Sequence, residues 1–206
     1  MANLLRLLAL ATMAVIVAAC GSSAGASATP PPVNFVGNST CDTSSSSAYG
    51  VPNVNSLPPV GEEVDEMPHM HVAEGTKITY THNPPTSGCH YNLGYGRAPI
   101  TAGAYDRSVP NEYWVHNLEH GYIVVLYDCP AGCDQQFQAL RNWAHGLPHD
   151  SGVSYAKVLI LPYSGMQVPF AVVSWDWYDP MPTFNINEVQ RFYANHTGHG
   201  PEQAGP

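Results

Sequence analysis

Two periods of apolar residue run through the second half of the chain, and each change of period marks an element. Tyr122 to Tyr127 is a near-continuous apolar run rich in β-branched residues, the pattern of a strand buried on both faces at the centre of a sheet. From Asp134 to about His145 the spacing becomes helical, with Phe137, Leu140, Arg141 and Ala144 in series; Asp134 suits the N-cap and Gly146 the terminator. Lys157 to Leu161 and Phe170 to Trp175 read as two further strands, separated by the turn-rich Pro162 to Gly165. A last helix, capped by Asn185 or Asn187, carries Val189, Phe192 and Tyr193. Upstream, Lys77 to Thr81 is a short β-prone run. Asn83 to Gly88 is barred from regular structure by two prolines and a glycine, and Asn92 to Pro110 is expected as an ordered loop. The order β, α, β, β, α predicts an α+β fold: a small, mainly antiparallel sheet with two helices packed on one face and long ordered loops.

The start of the chain follows neither period. In residues 1–19, Arg6 supplies a basic beginning and Leu7 to Val17 an apolar run too short to span a bilayer comfortably, which reads as a signal peptide. The run ends in Val17-Ala18-Ala19-Cys20-Gly21, which resembles a bacterial lipobox. That resemblance implies cleavage before Cys20 and attachment of lipid such as palmitate to its thiol; an ordinary secretory signal is the alternative. The expected location is the bacterial cell envelope, lipid-anchored and extracytoplasmic, with the membrane as partner through Cys20. Residues 20–59, dominated by Ser, Ala, Gly, Pro, Thr and Asn, cannot bury enough surface to offset ordering entropy and are expected to form a flexible tether. The acidic group Glu62, Glu63, Asp65 and Glu66 marks the approach to one globular domain over residues 60–206.

Charge narrows the partners. Seven Lys and Arg face 16 Asp and Glu in the whole chain, and Arg6 leaves with the signal. So acidic a chain is unsuited to nucleic acid and to anionic lipid, and compatible with attracting cations. Once Cys20 is assigned to lipid, Cys41, Cys89, Cys129 and Cys133 remain. An even number in an exported chain reads as two disulfides with three possible connectivities. The tight turn between Cys129 and Cys133 favours a local bridge there, leaving Cys41–Cys89; Cys89 as a metal ligand beside His90 is the competing reading.

The candidate chemistry centres on His116-Asn117-Leu118-Glu119-His120-Gly121, which places two imidazoles and a carboxylate just before the central strand. His116 and His120, at i and i+4, fall on one side of a helical turn, and Glu119 can share that side. The order also matches the inverzincin metalloprotease pattern, in which both histidines bind zinc and the glutamate activates water. That pattern needs a sustained helix, whereas Gly121 and the strand leave at most one turn. Met67-Pro68-His69-Met70-His71 alternates thioether and imidazole, and in an extended chain His69 and His71 point the same way. Thioether with imidazole suits copper, imidazole with carboxylate zinc. No serine-hydrolase elbow, phosphate loop or dinucleotide fingerprint is present in the sequence.

His71-Val72, Pro84-Pro85-Thr86-Ser87-Gly88 with His90, Gly103 with Tyr105, Val115 to Gly121 and the terminal Gly200-Pro201-Glu202 together resemble domain-of-unknown-function family 3105, a group of exported or membrane-anchored bacterial proteins. The resemblance covers about Met67 to Glu202 and points at His71, His90, His116, Glu119 and His120. It implies no established activity. The expected function is therefore an envelope lipoprotein whose domain holds a copper or zinc site formed by His116, His120, His90 and His71, with Glu119 as ligand or orienting group. The alternatives are a non-catalytic structural or interaction module of the envelope, in which the same side chains form a buried hydrogen-bond network, and a metal-dependent hydrolase.

Overall fold

The computed structural model describes Cys41 and residues 60–202, and in it the apolar runs of the sequence become the middle of a sheet. The signal peptide, Cys20 and the tether other than Cys41 lie outside the described residues. The strands are β1 (Glu62–Glu63), β2 (His71–Val72), β3 (His90–Tyr91), β4 (Gly103–Ala104), β5 (Ile123–Tyr127), β6 (Val158–Pro162), β7 (Phe170–Ser174) and β8 (Trp177–Met181). The helices are α1 (Asn111–Glu119), α2 (Asp134–His145) and α3 (Ile186–His196). Six strands form one sheet in the order β1-β8-β7-β5-β6-β4, while β2 and β3 form a separate pair.

The sheet is mixed, which corrects the expectation of a mainly antiparallel one. β6 runs parallel to both β5 and β4, whereas β7 is antiparallel to β5 and β8. The reason lies in α2: a helical crossover between β5 and β6 returns the chain to the same end, so β6 can run parallel. Only the short link Trp175-Asp176 reverses the chain between β7 and β8, with Asp176 at φ 62°.

Alternation along β5 divides the interior in two. Ile123 and Val125 join Val158, Ile160, Phe170 and Val172 under Leu140 of α2 and Val189 and Phe192 of α3. Val124 and Leu126 face the other way, with Leu159, Leu161 and Val173, onto Trp114, Val115 and Leu118 of α1. A third helix thus packs on the second face, where the sequence suggested a single turn at most. Its apolar stripe is obscured because His116, Asn117 and Glu119 are themselves buried, so polar residues occupy positions that normally signal a core-facing side. Pro110 precedes the helix with no side-chain cap, which removes the usual start signal too.

Three smaller differences have local causes. Asp134 is the first residue of α2, and Cys133 takes the cap position without a side-chain bond; in α3 Asn185 does cap, accepting from the Asn187 amide at 3.1 Å. Lys77 to Thr81 forms no strand, and part of its hydrogen bonding goes elsewhere: Thr81 N–H donates to the Met67 sulfur and the Tyr80 hydroxyl to the Cys89 carbonyl. β8 passes through Pro180, a residue that argues against a strand. β1 covers only Trp177 and Tyr178, so beyond them β8 is an edge, the place in a sheet where proline is tolerated. Cys41 pairs with Cys89 and Cys129 with Cys133, at Cα separations of 6.0 and 5.8 Å. Among the described residues no helix is long and apolar enough to cross a membrane.

Candidate metal centre

Two very short strands place the first two histidines. β2 and β3 are parallel, and their register sets His71 directly beside His90, with ring centroids 5.0 Å apart. The end of α1 approaches the same point, and His116 Nδ1 donates to the Tyr91 carbonyl at 2.7 Å, tying helix to strand. Glu119 lies three residues on, on the same side of the helix. Its Oε2 is 3.2 Å from His71 Nε2, 3.0 Å from His90 Nε2 and 3.8 Å from His116 Nε2. One ligand atom from each of these four side chains lies within 4.8 Å of the other three, so the group could hold a metal ion.

The hydrogen bonds behind the rings decide which nitrogen faces inward. Carbonyl oxygens only accept, so His90 Nδ1, 2.9 Å from the Gly88 carbonyl, must carry a hydrogen, as must His116 Nδ1. In the neutral rings the lone pairs therefore sit on Nε2 and point at the Glu119 carboxylate. Facing lone pairs repel unless a proton or a metal cation lies between them. His71 Nδ1 is 3.2 Å from the Asn92 amide, whose flip lets it serve either tautomer.

Burial, reinforced by repulsion from His90, pushes His116 down to about 3, so it is neutral near pH 7. Burial acts to raise Glu119, but with the intervening proton on Nε2 of His71 and His90 their hydrogen bonds outweigh it and hold the carboxyl below the usual carboxylate range. His71 is raised chiefly by its bond to Glu119. Its side chain is 39 % exposed while those of His90, His116 and Glu119 are at most 8 %, so the group opens to solvent along one edge.

Loops lock the group in place. Asn117, buried in the middle of the motif, donates to the Ile100 carbonyl at 2.8 Å and accepts its amide at 2.9 Å, closing the loop before β4 onto α1. The loop Pro84 to Gly88 is held by Met67 N–H on Ser87 Oγ and Asp176 N–H on the Thr86 carbonyl. Gly88, at φ 119°, packs against the Tyr80 ring so closely that a Cβ would lie 3.1 Å from it.

The structure thus brings His71, His90, His116 and Glu119 together and sets His120 in an adjoining group with Glu119 and Glu202. His69 turns away to pack its ring edge-on against Trp175 at 5.1 Å, and the Met67 sulfur accepts from Thr81. Cys89 is taken up by its bridge to Cys41. The helix that the inverzincin pattern needs does exist, but Glu119 is here a member of the ligand group itself. His116 and His120 stack at 4.9 Å with their planes 26° apart. Sequence reasoning passed over Asn117 and Asn92, which carry no signal distinguishing them from surface amides, and Lys157, a buried lysine donating to the His120 carbonyl at 2.9 Å.

Fold and site together define an α+β domain with a mixed sheet and a three-histidine, one-carboxylate group that is buried except at His71. The chain belongs to the family described as Protein of unknown function (DUF3105), whose model matches residues 71–206. The matched span begins at His71 and includes every residue of the cluster. No curated protein and no solved structure matches the chain.

Proposed function

We propose that this protein is a lipid-anchored envelope protein whose domain binds a zinc or copper ion through His71, His90, His116 and Glu119. The observation that carries the reading is the convergence of three Nε2 atoms on one buried carboxylate oxygen, with the opposite nitrogens of His90 and His116 committed to carbonyls. Such backing bonds fix the tautomer and orientation that a metal-ligating histidine requires. With the Met67 sulfur engaged elsewhere, imidazole and carboxylate donors favour Zn2+ or Cu2+ over Cu+. When bound, the ion supplies a Lewis-acidic centre. The chain's own residues neutralise part of its charge through Glu119 and leave the His71 edge as the approach from solution.

The same bonds join α1 to β3, which supports the second reading, a structural network. The two differ in outcome. Metal-stripped full chain, with disulfides intact, is dialysed separately against Zn2+ and Cu2+ at pH 7.5. At least one tightly held ion per chain is expected, lost in His90→Ala and His116→Ala, and bound metal at 100 times Kd adds about 2.7 kcal/mol of stability. Wild type holding less than one ion, with these variants equally destabilised with and without metal, refutes the metal reading in favour of the network. The anchor rests on the segment ending at Cys20 and is tested apart: Cys20→Ser is expected to release soluble protein or leave an unprocessed precursor, and unchanged membrane association and mobility would remove it.

A further inference from the structure

We propose that a second metal ion sits beside the first, held by His120, Glu202 and the Glu119 carboxylate, so that Glu119 bridges two ions. This rests on the reading of the first site. Glu119 Oε2 takes all three histidine contacts, while Oε1 has no hydrogen-bond donor among the described residues. His120, which closes α1, is only 5 % exposed. Its Nδ1 lies 3.0 Å from the Glu202 carbonyl and must therefore carry a hydrogen, leaving the lone pair on Nε2. Among the described residues nothing donates to that nitrogen. His120 thus stands beside two carboxylates, and one of its ring nitrogens and one oxygen of each carboxylate lie within 4.8 Å of one another.

The backbone places Glu202 there by a latch. Gly198 N–H donates to the Gly121 carbonyl at 2.9 Å and Glu202 N–H to the Glu119 carbonyl at 3.0 Å. Gly200 lies against the end of α1 so closely that a Cβ would overlap the Glu119 carbonyl oxygen. Lys157 Nζ is spent on the His120 carbonyl. Carboxylate-bridged pairs place their ions about 3.5–4 Å apart and clamp an oxygen anion between them. Two divalent ions over two carboxylates keep net positive charge here, so the chemical class this pair would take is a small oxyanion or hydroxide.

Zinc counted by equilibrium dialysis of the metal-stripped full chain at pH 7.5 tests the proposal. Two ions are expected in wild type and one in both His120→Ala and Glu202→Gln; Glu202 is exposed, so its replacement does not threaten the fold. One ion in wild type overturns the second position and leaves the first standing, while none overturns both. Two ions that persist in both variants overturn it as well. Loading with Cu2+ reads the bridge: a half-field spin-coupled resonance is expected in wild type and absent from Glu202→Gln. Two Cu2+ ions with only isolated-ion spectra refute the shared carboxylate.

Discussion

Gly200→Ala puts the latch to a quantitative test. A Cβ at this position would overlap the Glu119 carbonyl oxygen and lie 2.5 Å from the Gly121 nitrogen and 2.7 Å from the Glu119 carbonyl carbon. All three are backbone atoms at the end of α1, so none can rotate aside. The tail must lift. Three hydrogen bonds go with it: Glu202 N–H to Glu119, Gly198 N–H to Gly121, and His120 Nδ1–H to the Glu202 carbonyl. At about 1 kcal/mol net for each, the loss is about 3 kcal/mol, and it stops there because a detached tail asks nothing more of the sheet. In a domain of this size that lowers Tm by roughly 6–12 °C. Gly198→Ala is the control: its Cβ meets nothing within 4 Å, leaving only the strain of φ 78°, about 1–2 kcal/mol. Calorimetry ranks the two variants, and hydrogen exchange at the Gly198 and Glu202 amides should show protection collapsing in Gly200→Ala. A variant that melts with wild type and keeps both amides protected would show that Gly200 does not hold the tail against α1.

Two further outcomes follow from polar groups away from the cluster. Burial, with the nearby charge of Glu66, raises Asp176 to about 7, so the folded state holds its proton more tightly than the unfolded chain does. Its contribution is fully present below the ordinary value of 3.8 and is lost as pH rises through about 7. Asp176→Asn, tolerated at φ 62°, should therefore match wild type near pH 4 and exceed it by about 1–2 kcal/mol at pH 8, after allowance for solvent screening; equal urea midpoints at pH 8 would count against it. His196 is buried, donates from Nε2 to the Val60 carbonyl at 2.8 Å, and packs on Trp177 and Phe192. His196→Ala should cost about 2–4 kcal/mol in denaturant melts yet leave metal content unchanged, and a loss of metal would place this residue in the site.

The sequence by itself determined the elements whose buried positions are apolar. β5, β6 and β7 were legible as short continuous apolar runs, buried on both faces, and α2 and α3 as apolar positions recurring at period 3.6. The histidines and Glu119 were legible too, as residue types gathered around one motif, and the even cysteine number implied two bridges. Only the tertiary structure decided that α1 is a helix, since its buried side carries His116, Asn117 and Glu119 and so erases the pattern that would announce it. It also decided the parallel course of β6, because a crossover's length allows either direction. β2 and β3 are two residues each, too short for any period, yet their pairing register is what selects His71 and leaves His69 against Trp175. Likewise, Glu202 reaches Glu119 only because Gly200 lets backbone touch backbone across 81 positions of chain. Periodicity records which way a side chain faces within its own element; which elements meet is set by packing between segments far apart in sequence, and the ligand group exists only where they meet.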